Sequence, residues 1–276
     1  PTVVPQNVPG AGSLVAANQA FKTAPKDGTV MALINRGVPF EPLLGNKAAQ
    51  FDPRQFNYIG SPDRDTIVAY VRTDGPVQKL SELRSQELIV AATGSGADSL
   101  TYPIILRDLF HLKLRIVQGY PGSRDMNLAV ERGEAHGTFI SYDTALREPG
   151  LKDGSRRLLV QGRLTPDPRI KDVPGLNDLD LSPAERKAAE FFLLRADMGR
   201  PFVAPPGVPA DRLAALRKAF RDTLLDSATQ DDAVRQGLNV SLISPDELMK
   251  TLDAAYRFDE KTIDMVRKTM QEAEKK

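Results

Sequence analysis

Apolar and polar positions along the chain switch between two periods, and the switches mark out its elements. "TIVAYVRT" (66–73), "ELIVAAT" (87–93), "RIVQGY" (115–120), "AHGTFIS" (135–141) and "RRLLVQG" (156–162) are short apolar or alternating runs bounded by glycine, proline or charge, which predicts strands. Helical spacing predicts "SLVAANQAFKTA" (13–24), capped by Ser13 and stopped before Pro25. A second helix is expected with Thr101 as its N-cap and Pro103 in its first turn, where proline is tolerated. Its apolar face is Ile105, Leu106, Leu109, Phe110 and Leu112. "DMNLAVERG" (125–133), ended by Gly133, and "AERKAAEFFLLRAD" (184–197) follow the same period. Two long amphipathic regions come last, the final one opened by the capping box "SPDE" (244–247).

The first 34 residues carry a separate expectation. "PTVVPQNV" (1–8) reads as a strand, "PGAG" (9–12) as a turn, and Asp27-Gly28 turns the helix into the strand "TVMALI" (29–34). Strand, helix and strand in that order predict a parallel βαβ unit, and the alternation along the chain predicts an α/β fold. No internal repeat or low-complexity stretch interrupts it.

Composition narrows the function classes. At 276 residues the chain can bury two cores, and two lobes are expected. It has 41% apolar and 26% charged residues, and its 37 Lys and Arg against 36 Asp and Glu leave a net charge of +1. That balance gives no electrostatic footprint for nucleic acid or an anionic membrane. Cysteine is absent, which removes disulfides, thiolate nucleophiles and thiolate metal sites. The chain opens at Pro1 without Met or a signal-peptide pattern, which predicts a processed or truncated start.

Two glycine turns carry the candidate chemistry. Thr93-Gly94-Ser95-Gly96-Ala97-Asp98-Ser99 joins a strand to a helix, lacks the lysine of a nucleotide-binding P-loop and lacks the third glycine of a dinucleotide loop. What remains is a cluster of N–H and hydroxyl donors beside a helix N-terminus, suited to a carboxylate. Asp98 would repel such a ligand, so it is expected to cap the helix or to meet a cation. "GYPGSRD" (119–125) repeats the arrangement with Gly122, Ser123 and Arg124, and a bound anion would give Arg124 a partner. Asn35-Arg36-Gly37 follows a strand at the end where open α/β sheets bind ligands. His111 and His136 have no His or carboxylate at ligand spacing, so no metal is expected. No catalytic residue is assigned, since Ser95 is not flanked as in G-x-S-x-G.

These segments, in this order, resemble the periplasmic substrate-binding receptors of tripartite tricarboxylate transporters. The resemblance rests on "NVPGAGSLVAANQAF" with "APKDGTVMAL", on "FDPRQF" (51–56), "VAATGSGADS", "YPGS" (120–123), "DVPGL" (172–176) and "VAPPGVPADRLAAL" (203–216). It implies a two-lobed periplasmic-binding-protein-like (type II) α/β fold with a central cleft and two hinge crossings. It also implies a monomeric periplasmic receptor without a cofactor, which takes a small carboxylate solute to the membrane permease subunits of the transporter. Carried over by position, the ligand contacts are Thr93, Gly94, Ser95, Gly96, Ala97 and Ser99, with Gly122 and Ser123 as a second group and Asn35 and Gly37 from the first lobe.

The lobes are expected at 1–74 and 200–276 for the first and 75–199 for the second, with crossings near Val71–Gly75 and Arg200–Pro206. Against the family pattern, an N-terminal strand, loop and helix are missing before Pro1, so its first sheet is expected to show a gap. Residues 177–199 replace a shorter segment that usually holds tryptophan, and Pro121 stands where lysine is common. An enzyme on the same fold, or the effector-sensing domain of a regulator, is the alternative. A signal peptide or a helix-turn-helix ahead of Pro1 would discriminate between receptor and regulator.

Overall fold

Five consecutive residues of the strand Ile67–Arg72 are buried, and they alternate between two apolar clusters. Ile67, Ala69 and Val71 join one, and Val68 and Tyr70 the other. A strand covered on both faces belongs in the middle of a sheet, and this one sits there. The computed structural model describes residues 2–64, 66–94 and 97–273. In chain order it contains α1 (Leu14–Lys22), β1 (Ala32–Leu33), β2 (Asn57–Gly60), β3 (Ile67–Arg72), β4 (Leu88–Ala91), α2 (Asp98–Ile104), β5 (Leu114–Val117), α3 (Ser123–Glu131), β6 (Gly137–Ser141), α4 (Tyr142–Ala145), α5 (Pro149–Asp153) and β7 (Arg156–Gly162). Then come α6 (Pro183–Leu193), β8 (Phe202–Ala204), α7 (Ala210–Leu225), α8 (Ser227–Arg235), α9 (Pro245–Tyr256) and α10 (Glu260–Ala273).

The strands form two sheets. The larger has the order β5-β4-β6-β3-β7, with β4 parallel to β5 and β6, and β3 antiparallel to β6 and β7. The smaller has the order β1-β8-β2, antiparallel throughout. Phe202, Leu213, Leu216 and Phe220 pack on Ile59, Ala204 and Val208 to cover the smaller sheet with α7. α10 packs on α6, and Phe40 meets Phe191 edge-on at 6.4 Å, so apolar contact continues from one sheet's surroundings to the other's.

Several expectations are corrected. Residues 2–9 form no strand, and Val3 and Val4 are exposed. Pro5 interrupts that run and Pro9 ends it, and proline cannot donate to a ladder. Only Ala32–Leu33 of the expected strand 29–34 is paired, and it runs antiparallel to β8, so no parallel βαβ unit opens the chain. Ser13 precedes α1 in the left-handed region (φ 78°) and makes no side-chain cap bond. Helix α2 starts at Asp98, so Thr101 lies inside it and donates its hydroxyl back to the Ala97 carbonyl. Pro103 therefore falls well into the helix, where it cannot donate and crowds the turn before it. The ladder loosens into a π turn at Ile105–Leu109, directly after it.

Strand β3, expected in the first lobe, is hydrogen-bonded in the larger sheet, because only that sheet supplies neighbours on both its edges. The chain thus passes from sheet to sheet between β2 and β3, ahead of Val71–Gly75, and returns just before β8. The two passages touch. Arg200 donates its backbone N–H to Ser61 Oγ at 2.8 Å, and Gly199 (φ +57°) sits so close that a Cβ there would lie 2.0 Å from the Asp63 carbonyl oxygen.

Candidate functional site

Strands β4, β5 and β6 run parallel, so their carboxyl ends share one edge of the larger sheet. Each then runs into a helix: β4 into α2, β5 into α3 and β6 into α4. First-turn amides have no intrahelical acceptor and carry partial positive charge. The crevice outside such carboxyl ends is where open α/β sheets hold ligands. A cavity of about 370 Å³ lies there, between the two sheets.

Its larger-sheet wall consists of Thr93, Ala97, Asp98 and Ser99 from the β4–α2 turn, Ser123 and Met126 from α3, and Ser141 and Thr144 around the start of α4. Ile67, Phe139 and Ile140 add an apolar floor. The facing wall is Leu33, Ile34, Asn35 and Arg36, with Ser13 beside α1 and Arg200 from the return passage.

Of the residues expected to contact ligand, Thr93, Ala97, Ser99, Ser123 and Asn35 line the cavity. Gly94 and Gly122 are half-buried in the adjoining turns but are not part of its wall. Gly37 is buried, and its open side is filled by the guanidinium of Arg195. Arg124 points from the exposed surface of α3 and does not reach the cavity wall. Ser95 and Gly96 lie outside the described residues.

The turn hydroxyls are engaged with each other. Thr93 donates its backbone N–H to Ser99 Oγ at 3.1 Å, and the two hydroxyl oxygens are 2.9 Å apart. Asn35 Oδ1 accepts from the Gly37 N–H at 2.9 Å, which fixes the turn after β1. Ser141 Oγ accepts from the Thr144 N–H at 3.4 Å and so caps α4.

Charge enters the cavity as a pair. Arg36 Nε lies 3.4 Å from Asp98 Oδ2, and both side chains are nearly buried. The cation expected near Asp98 is thus Arg36, from the other side of the cavity. Arg200 Nε lies 3.4 Å from Asp63 Oδ2 at the more exposed edge.

A second polar network holds α4 in place. The Tyr142 N–H donates to the Thr66 carbonyl at 2.7 Å, and the Thr66 hydroxyl donates to Asp167 Oδ2 at 2.7 Å. Arg169 donates to Asp167 and to Asp143, with its guanidinium 4.8 Å above the Tyr142 ring. Burial pushes the Asp167 carboxyl up, but hydrogen bonds from Arg169 and Thr66 outweigh it and hold the group at about 2.

The pattern along the chain missed Ser13, Ser141, Thr144 and Arg200 as cavity residues. Ser141 had a readable signal, because strand, hydroxyl and helix follow one another there as they do at 93–99 and 119–125. Ser13 and Arg200 had none, since folding alone brings them to the cavity.

No protein-family model and no curated protein matches the chain. Solved structures do. A TctC solute-binding protein from Polaromonas is 17% identical, with 94% of this chain and 85% of that chain covered and a TM-score of 0.65. MatC from Rhodopseudomonas palustris with bound malate is 20% identical, covering 95% and 85%, with a TM-score of 0.66. A further Rhodopseudomonas palustris protein, solved with adipate, is 17% identical, covering 93% and 84%, with a TM-score of 0.66. The chain has the two-lobed fold of periplasmic solute-binding proteins. At these identities the likeness speaks to the fold alone.

The chemistry of the cavity is suited to holding a ligand. Neither histidine lines the cavity, and His136 lies at the opposite end of β6, where its Nδ1 accepts the Ile89 N–H at 3.2 Å. The cavity serines therefore have no imidazole to activate them. Among the described residues, no three His, Cys, Asp or Glu side chains gather as a metal site requires, and no helix is long and apolar enough to cross a membrane.

Proposed function

We propose that this protein is an extracytoplasmic receptor that captures a small carboxylate-bearing solute in the cavity between its two sheets. It then passes the solute to the membrane permease subunits of a tripartite tricarboxylate-type transporter. The observation that carries this reading is the convergence of three strand-to-helix turns on one cavity of about 370 Å³. Hydroxyls of Thr93, Ser99, Ser123, Ser141 and Thr144 stand there beside three helix starts. Neutral donors and partial charges hold a carboxylate without fixing it permanently, which release to a permease requires. Solved structures of the same fold with malate and adipate support the ligand class.

Residues 93–99, with Ser95 and Gly96 among them, form the main cradle in this reading. Gly122, Ser123 and Arg124 form the second arm, and Asn35 and Gly37 the turn that faces them. The division into lobes is taken at the two sheet-to-sheet passages, 61–64 and 199–201, which act together as the hinge. The protein works as a monomer in the periplasm, binds without turnover and uses no cofactor.

Native mass spectrometry of the purified protein, followed by a thermal-shift screen of mono-, di- and tricarboxylates, tests the reading. A ligand at a hundredfold excess over its dissociation constant should stabilise the fold by ~2.7 kcal/mol. If only sugars or cations raise the melting temperature, the reading is wrong.

A further inference from the structure

The two passages between the sheets are joined a second time, on the side of the larger sheet. Arg163 directly follows β7, and its guanidinium faces both passages at once. Nη1 donates to the Arg64 carbonyl at 3.2 Å and to the Thr66 hydroxyl at 3.4 Å, where the first passage enters β3. Nη2 lies 3.5 Å from Asp197 Oδ1, in the 3-10 turn Leu194–Met198 that runs into the second passage. One side chain thus bridges the outgoing and the returning chain.

The half of this bridge that reaches Asp197 is held by charge more than by hydrogen bonds. Its single contact falls short of the two-bond fork that guanidinium and carboxylate form through Nε and Nη2, and Arg163 Nε is buried without a hydrogen-bond partner. Arg169 and Asp167 show the contrast. There Nε donates at 3.0 Å and Nη2 at 2.7 Å, and the Asp167 carboxyl is held at about 2. Asp197 has no such fork, and burial outweighs the attraction of Arg163 and Arg64 and pushes its carboxyl above the ordinary 3.8.

Those two arginines are the charged side chains that act on Asp197. Arg64 is paired in turn with Glu247 of α9, which hydrogen bonds from Ser244 hold below the ordinary carboxylate range. Glu247 therefore stays charged while Asp197 takes up a proton. Burial pushes the Tyr102 hydroxyl of α2 up, so it stays neutral. Arg195, on the same turn as Asp197, faces the Phe192 ring, and Asp63 of the first passage is paired with Arg200.

We propose that Arg163 and Asp197 form an acid-sensitive clamp on the hinge. With Asp197 charged, the clamp keeps the two passages together and the cavity closed. With Asp197 protonated, Arg163 holds only the first passage, the second is free to turn, and a bound solute leaves faster. This rests on the reading of 61–64 and 199–201 as the hinge of a solute receptor. The clamp sets the rate of exchange and has no part in which solute is held, since neither residue lines the cavity.

Energy transfer between two dyes tests this. The chain has no cysteine, so Lys152→Cys on α5 and Ala215→Cys on α7, both exposed positions, put one label on each lobe. Without ligand, transfer should fall as the pH is lowered from about 7.5 to about 4.5. Asp197→Asn keeps the shape of the side chain and cannot ionise, so it should give the low value throughout. At about pH 7.5 it should also release a carboxylate from the thermal-shift screen about threefold or more faster than the native sequence in stopped-flow displacement. Circular dichroism establishes that the variant is folded, and the pH step in the native sequence stands as a test without it. Transfer that is flat with pH in the native sequence, an unchanged step in Asp197→Asn, or equal release rates each overturns the clamp and leaves the receptor reading intact. If no carboxylate binds, the receptor reading fails, and the ligand-free measurement still decides the clamp.

Discussion

The guanidinium of Arg195 occupies the space that a side chain at residue 37 would need: a Cβ on Gly37 would lie 1.7 Å from its Nη2. Gly37 has ordinary helical dihedrals (φ −78°, ψ −25°), so the requirement for glycine here is one of space and not of backbone conformation. Arg195 is buried and stacks 5.1 Å from the Phe192 ring, which leaves it little freedom to move aside. Gly37→Ala should therefore destabilise the fold by about 1–3 kcal/mol through overpacking. A denaturant melt with an unchanged midpoint would show that Arg195 can retreat and that this contact is loose.

Ser61 ties the two passages between the sheets together. It is fully buried, accepts the Arg200 N–H at 2.8 Å and donates to the Asp63 carbonyl at 3.1 Å. Ser61→Ala leaves the Arg200 amide without its acceptor, and a loss of about 1–3 kcal/mol is expected. Urea unfolding measures it, with the midpoint lowered and the slope unchanged. If hinge motion depends on that tie, the variant should also change the rate of ligand release in stopped-flow displacement.

What could be read from the sequence was local. Strand β7 appears at the residues expected, 156–162, because the apolar run Leu158–Val160 is bounded by arginines before it and by Gly162 after it. Ser244 and Glu247 form the expected capping box, since that motif is completed within four residues. The apolar face from Ile105 to Leu112 is buried as its spacing predicts. Contacts that join distant segments were not readable. Arg36 meeting Asp98, or Arg195 filling the space over Gly37, leaves no periodic trace in either segment. The start of the chain misled for a different reason. Val3 and Val4 have strand propensity, but propensity without a partner strand forms nothing, and the prolines on either side remove ladder donors. The cavity lay between these cases: its turns were visible as glycine and hydroxyl clusters, while its facing wall was not.

Acid should act strongly through Asp167. Its carboxyl titrates at about 2 in the fold, against an ordinary value of 3.8, because Arg169 and Thr66 bond the charged form more than burial penalises it. A carboxylate lowered on folding adds stability above its unfolded value, and that stability is lost as pH falls through the folded one. The expected contribution is up to about 2 kcal/mol, present above about pH 4 and gone near pH 2. Asp167→Asn should be less stable at neutral pH and should lack this titration step. Melting temperatures of both proteins across that window decide it, and parallel curves would refute the assignment. Because Arg169 also bonds Asp143 in α4, the variant should loosen the Ser141–Thr144 side of the cavity and weaken ligand binding.

The turn from Thr93 to Ser99 makes the sharpest test of the cradle. Ser99 Oγ accepts the Thr93 N–H at 3.1 Å and is hydrogen-bonded to Thr93 Oγ1 at 2.9 Å, so one hydroxyl closes the turn at both its backbone and its side chain. Ser99 is itself buried, and truncating it leaves the Thr93 amide without an acceptor and the Thr93 hydroxyl free to turn. Two effects should follow from Ser99→Ala. Stability should fall by about 1 kcal/mol, the ordinary cost of such a bond. Ligand affinity should fall by about fivefold or more, because donors that are no longer held in place must be ordered by the ligand on binding. Thermal unfolding reads the first and calorimetry with a carboxylate from the screen reads the second. Loss of stability with affinity unchanged would mean that residues 93–99 close a turn and hold nothing.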